Sequence, residues 1–146
     1  MANTNTPVIS SDALRDDWLK RLSGLIEQIR DWVVESGWST RTIEKGMQDL
    51  EIGAYTAPAL LMQQDTYRVL LEPITRAAPG ADGVVDLYLL PAYDDIASLY
   101  HCDGEWRLHY MFPGTPTVAT IRDAAAVPLS KEALRDVLDE MKKNAS

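Results

Sequence analysis

His101, Cys102 and His109, preceded by the acidic doublet Asp94-Asp95, are the residues of this 146-residue chain whose types could do chemistry. An imidazole beside a thiol can make a nucleophile, two imidazoles can hold a transition metal, and paired carboxylates can bind a hard cation or act as a general base. Each role needs converging side chains. The backbone that carries these residues therefore decides which role is open.

Asp103-Gly104 is a hairpin signal, and the turn type fixes which residues face each other. A two-residue turn pairs Cys102 with Glu105 and His101 with Trp106. A three-residue turn, with Gly104 in a left-handed bulge position, pairs His101 with Glu105 and Tyr100 with Trp106. The second is preferred, because it gathers Ile96, Ser98, Tyr100 and Cys102 with Trp106, Leu108 and Tyr110 on one face. It leaves Ala97, Leu99, His101, Glu105, Arg107 and His109 on a more polar face. In either register His101 and Cys102 point to opposite sides, so a thiol activated by its neighbour is not expected. In the preferred register His109 lies opposite Ala97, about 13 Å from His101 along the strand, too far for a chelate.

Asp94-Asp95 follows Tyr93 and reads as a solvated turn, where Asp is favoured because its side chain bonds nearby backbone amides. Adjacent turn side chains diverge and no third carboxylate is fixed nearby, so no metal site is expected. Asp16-Asp17 reads as helical surface, with Lys20 and Arg21 one turn on. The chain contains no Gly-rich phosphate loop, no Gly-x-Ser-x-Gly, no His-Glu-x-x-His and no Asp-rich calcium loop. The reading favours a non-enzymatic protein without cofactor or metal.

Charge is more informative than motif. The chain has 22 Asp and Glu against 14 Lys and Arg, a formal −8. It has no surplus of cations to neutralise phosphate backbones or anionic lipid, so neither nucleic acid nor a membrane surface is an expected partner. From Ala77 to Trp106 there is no Lys or Arg, while Asp82, Asp86, Asp94, Asp95, Asp103 and Glu105 give a net −6. Tyr88, Tyr93, Tyr100 and Trp106 are interleaved with them. Negative potential combined with amphipathic aromatics suits docking of a basic protein. The candidate surface is Tyr93, Asp94, Asp95, Tyr100, His101, Asp103, Glu105 and Trp106. The competing explanation assigns Asp82 and Asp103 to Asp-Gly turns, Asp94 and Asp95 to another turn, and the aromatics to the core.

The elements that must position these residues follow from periodicity. Leu14, Trp18, Leu22, Leu25, Ile26, Ile29, Trp32 and Val33 recur at spacings of three and four, which predicts a long helix from about Asp12 to Glu35, capped by Ser11 or Asp12 and ended at Ser36-Gly37. Gly24 inside it marks either a close backbone contact or a tolerated weakness. Residues 38–53 fit a helix and a strand equally. From Tyr55 to Phe112 short Val-, Leu-, Ile- and Tyr-rich runs predict antiparallel strands near 55–63, 66–75, 84–91, 96–102 and 105–112. Pro58 and Pro73 belong at strand ends or edges. A connector follows, with a short strand at Thr117 to Ile121. Ser130 then caps a second helix whose stripe is Ala133, Leu134, Val137, Leu138 and Met141.

The fold class is therefore α+β: a long N-terminal helix, an antiparallel meander of about five strands, and a C-terminal helix, with both helices on one face of the sheet. Residues 1–10 read as a loose tail and 11–146 as one domain. The N-terminus lacks the basic and apolar regions of a signal peptide, and no apolar run approaches the roughly 20 residues of a membrane span. One cysteine permits no internal disulfide, which fits a cytoplasmic protein. The segment Asp103 to Tyr110 resembles the last hairpin of ligand-binding domains of the nuclear transport factor 2 type, although a terminal helix departs from that layout and no functional residue is carried over. In size and acidity the chain is similar to bacterial immunity proteins and secretion chaperones. The expected function is an acidic interaction module that binds a basic protein partner and could also self-associate. The alternative is a small-molecule site or enzyme, with a pocket between the first helix and the sheet and polar groups among His101, Asp94, Asp95 and His109.

Overall fold

The computed structural model describes residues 10–109 and 126–144. Helix α1 spans Ser11–Glu35 and buries Trp18, Leu22, Leu25, Ile26, Ile29 and Val33, six residues of the expected stripe, while Leu14 and Trp32 at its margins are half-buried. Its cap is Ser10, whose Oγ accepts from the Ala13 amide at 3.1 Å. Ser11, one of the two expected caps, is inside the helix and instead donates to the Glu51 carbonyl at 3.1 Å. A Cβ at Gly24 would meet nothing within 4 Å, so this glycine is a tolerated weakness and not a close contact.

Among the described residues seven strands follow, somewhat more than the five expected: β1 Ser39–Asp49, β2 Gly53–Gln64, β3 Tyr67–Thr75, β4 Val84–Leu90, β5 Asp94–Cys102, β6 Glu105–His109 and β7 Val127–Pro128. Helix α2, Lys131–Asn144, ends the described chain, with Ser130 Oγ accepting from the Ala133 amide at 3.0 Å. Each strand pairs with its sequence neighbour in one antiparallel sheet of order β1 to β7, as the short connections from β1 to β6 dictate for those six. The open segment after α1 becomes β1, whose full length pairs with β2. The tail at residues 1–9 and the expected strand at Thr117 to Ile121 lie outside the described residues, as do Tyr110 to Phe112.

Both prolines sit where a missing amide is harmless. The β2–β3 ladder runs only from Leu60↔Leu71 to Gln64↔Tyr67, so Pro58 lies where β2 has a single neighbour. Pro73 adjoins a register shift in the β3–β4 ladder. One core cluster joins α1, α2 and a single face of the sheet, including Met62, Leu71, Leu87, Leu99, Leu108, Leu134 and Met141. Alternation then places Leu61, Arg68, Leu70, Asp86, Tyr88, Ser98, Arg107 and His109 on the other, outer face.

Candidate functional site

The β5–β6 hairpin has the register that the sequence reading did not prefer. Cys102 pairs with Glu105 and His101 with Trp106, and both Asp103 (φ 52) and Gly104 (φ 79) adopt the left-handed conformation of a two-residue turn. The difference moves every side chain of β6 across the sheet relative to β5. Trp106 and His101 therefore lie together on the inner face, their rings 5.1 Å apart and edge-on. Tyr100 faces outward opposite Arg107, and His109 lies opposite Ser98 instead of Ala97.

The inner register is held by contacts that cross elements. His101 Nδ1–H donates to Asp82 Oδ1 at 2.7 Å, while the Asp82 amide donates to the His101 carbonyl and the His101 amide to the Gly83 carbonyl. Arg21 of α1 donates to the Asp82 carbonyl at 3.1 Å. Burial acts to raise the Asp82 pKa, but the His101 hydrogen bond, the His101 charge and Arg21 outweigh it and hold the carboxyl below its ordinary value. Asp82-Gly83 is thus no hairpin turn. The reversal falls at Pro79-Gly80, inside the Ala78↔Ala81 bridge.

Gly83 is required by close approach, because a Cβ there would stand 2.7 Å from Trp18 Cζ3 and 3.3 Å from Trp106 Cη2. The Trp18 ring is fixed, since it is fully buried and its Nε1–H donates to Tyr55 Oη at 3.0 Å. Gly83→Ala is expected to destabilise the protein by about 2 kcal/mol, in the range for overpacking a filled core. A urea midpoint equal to that of the unsubstituted protein would show that the rings give way.

On the outer face a different group assembles. Tyr88 Oη–H donates to Asp86 Oδ2 at 3.0 Å, and the Tyr93 ring lies 5.3 Å from that of Tyr88. Tyr93 is 54% exposed and has φ 62, a conformation that bulky side chains rarely adopt. Asp95 sits directly opposite Tyr88 across a β-bulge at Ile96. Burial and then the charge of Asp86 raise the Asp95 pKa, and the Ala97 amide offsets this only in part. Burial pushes the Tyr88 phenol up as well, reinforced by the charge and hydrogen bond of Asp86. Among the described residues no Lys or Arg forms an ion pair with Asp86, Asp94, Asp95 or Asp103. Asp86 Oδ1 and His109 Nδ1 are buried without a hydrogen-bond partner among them.

The candidate residues accordingly divide into three places, with Tyr100 apart from all three, facing outward beside Arg107. Tyr93, Asp94 and Asp95 gather at the β4–β5 end, where Asp94 and Asp95 begin β5 and only Tyr93 belongs to the turn. Asp103 and Glu105 lie at the other end of β5, about 26 Å away at strand rise, and Glu105 is paired with Arg107 at 2.9 Å. His101 and Trp106 belong to the inner face. Asp86 and Tyr88 were part of the acidic window but not of the candidate surface, and only the cross-strand register shows that they join Asp95. No cluster of three or more His, Cys, Asp or Glu side chains able to hold a metal ion occurs among the described residues.

The expected alternative pocket lay between α1 and the sheet, where the structure packs Trp18 against Gly83 and the core. A groove of ≈ 160 Å³ opens instead between α1 and α2, lined in part by Trp32, Trp38, Lys131, Arg135 and Lys142. Lys142 donates to Gln64 Oε1 and lies 5.2 Å from the centre of the Trp38 ring. No helix among the described residues is long and apolar enough to cross a membrane. No protein-family model matches this chain, and no curated protein or solved structure matches it either.

Proposed function

We propose that the chain is a protein-interaction module that docks a basic segment of a partner on the outer-face cluster of Asp86, Tyr88, Tyr93 and Asp95. The observation that carries this reading is the set of carboxylates without a cationic partner among the described residues, set beside an exposed tyrosine ring. A guanidinium or ammonium arriving there would pair the exposed Asp95 carboxylate and lie against the Tyr93 face, with the buried charge of Asp86 adding to the field, and aromatic contacts of this kind dominate interface energies. The unusual φ of Tyr93 supports the same reading, since strained backbone is retained where it serves a site.

A Lys- and Arg-rich peptide is expected to bind, and Asp95→Asn and Tyr93→Ala are each expected to weaken binding about tenfold without lowering the thermal midpoint. The pH dependence has a defined sign. A raised pKa means that Asp95 is protonated over a wider acidic range than an ordinary Asp, and only the carboxylate attracts a cation. Affinity should therefore fall as pH drops through that raised value, with proton release on binding in the same range. Titration calorimetry in two buffers of different ionisation enthalpy measures both. Equal affinity for the wild type and Asp95→Asn, or binding indifferent to salt, rejects the proposal.

A further inference from the structure

The outer face carries a cationic end as well as the anionic one. Register alone aligns Arg41, Leu61, Leu70, Tyr88 and Asp95 in a single row across β1 to β5. The neighbouring row runs Ser39, Gln63, Arg68 and Leu90. Arg41 and Arg68 are exposed and form no ion pair or hydrogen bond among the described residues. The face therefore has exposed arginines on β1 and β3, the half-buried Leu61 and the buried Leu70 in the middle, and carboxylates without an ion pair among the described residues on β4 and β5, Asp86 half-buried and Asp95 exposed.

Shape follows the same division. A shallow hollow of ≈ 240 Å³ lies at the cationic end, lined by Ser39, Thr40, Arg41, Leu61, Gln63 and Arg68. The most exposed aromatic of the face, Tyr93, stands at the anionic end, in the turn that follows Leu90. Two sheets stacked face to face and related by a two-fold axis parallel to the strands over β3 exchange β1 with β5 and β2 with β4. That operation sets Arg41 of one copy over Asp95 of the other, because the two residues end the same row. It also sets Tyr93 of one copy over the hollow of the other, with Arg68 beside its ring.

Resting on the docking role proposed above, we infer that the basic partner of the acidic, aromatic end is the arginine end of a second copy of this chain, in a face-to-face two-fold dimer. Charge and shape agree on one operator, and each copy supplies both halves of the contact. The size is sufficient for a weak dimer. Four strand spacings by about nine residues of strand give a face of about 19 Å by 30 Å, so two copies cover about 1,100 Å² in projection, near the lower end of specific interfaces. A reversible dimer with a micromolar dissociation constant is expected, weakened by salt.

The test is sedimentation equilibrium of the full chain with a charge swap. Arg41→Glu and Asp95→Arg should each weaken self-association by about tenfold or more, since each homodimer then faces like charges twice. An equimolar mixture of the two variants should recover wild-type association, because both contacts of the mixed dimer again join opposite charges. Tyr93→Ala should weaken the dimer without changing the thermal midpoint measured well below the dissociation constant, where the chain is monomeric. A chain that stays monomeric at the highest soluble concentration overturns the inference, as does a dimer indifferent to both reversals or a mixture no tighter than either variant alone. A monomer that still binds the basic peptide overturns only the second copy as partner. A monomer that binds no basic peptide overturns the docking role as well.

Discussion

Replacing Trp18 by alanine is expected to lower folding stability by about 4 kcal/mol, the scale at which large aromatic truncations in filled cores are felt. Trp18 is fully buried at the contact of α1 with the sheet, and three features depend on its ring. Gly83 is flush against it. Tyr55, whose hydroxyl is shifted upward by burial, accepts its indole N–H. Trp106 closes the same space from β6. Alanine would leave a cavity and also an unpaired phenol in a half-buried position, so the transfer and hydrogen-bond losses add. Trp18→Phe keeps most of the apolar volume and should cost about 1–2 kcal/mol, mainly through the lost hydrogen bond. Urea unfolding followed by far-ultraviolet circular dichroism measures both. A Trp18→Ala loss below about 1 kcal/mol would mean that the core collapses around the gap and that the ring does not set the position of β4.

The helices were legible because their information is local. A stripe of period 3.6 and a Ser at each start suffice, and even the shift of the α1 cap from Ser11 to Ser10 leaves the buried set unchanged. β1 was not legible. Arg41, Thr42 and Glu44 are all exposed although successive residues face opposite sides, so its burial does not alternate, because it is an edge strand with one partner and part of it extends past β3. The hairpin register failed for a different reason. Asp-Gly fits both turn lengths equally, and what decides between them is distant in sequence: the Asp82–His101 hydrogen bond and the fit of Trp106 to Gly83. The acidic window was read correctly as a charge excess but could not be resolved into surfaces. Asp82 is tied to Arg21 and His101 and Glu105 to Arg107, so the carboxylates without a cationic partner fall mainly at the β4–β5 end. Likewise, Arg41 and Arg68 lie 27 positions apart in sequence and meet on one face only through the β1–β2–β3 register.

That register depends on the point where β2 leaves β3, and Arg76 holds it. Arg76 donates to both carboxylate oxygens of Asp49, Nε to Oδ2 at 3.1 Å, with side chains 13% and 10% exposed respectively, and it also reaches Glu51. Asp49 in turn accepts from the amides of Glu51 and Ile52, which closes the β1–β2 turn. Burial alone would raise the Asp49 pKa, but the Arg76 hydrogen bond, the two amides and the Arg76 charge together hold it below its ordinary value. A carboxylate with a lowered folded pKa contributes stability that is present above its unfolded value and is lost as pH falls through the folded one. Arg76→Met leaves this carboxylate buried without its cation and is expected to cost about 3 kcal/mol at neutral pH. Asp49→Asn should cost less, since the side chain keeps an oxygen for the amides. For both variants the gap to wild type should narrow as pH falls into the carboxylate range, because protonating wild-type Asp49 removes the same contribution. The double substitution should cost less than the sum of the single ones. Urea midpoints measured across that pH range give all three results. Parallel stability curves for wild type and Asp49→Asn would show that Asp49 titrates alike in the folded and unfolded chain, and that another contact keeps the β1–β2 turn against β3.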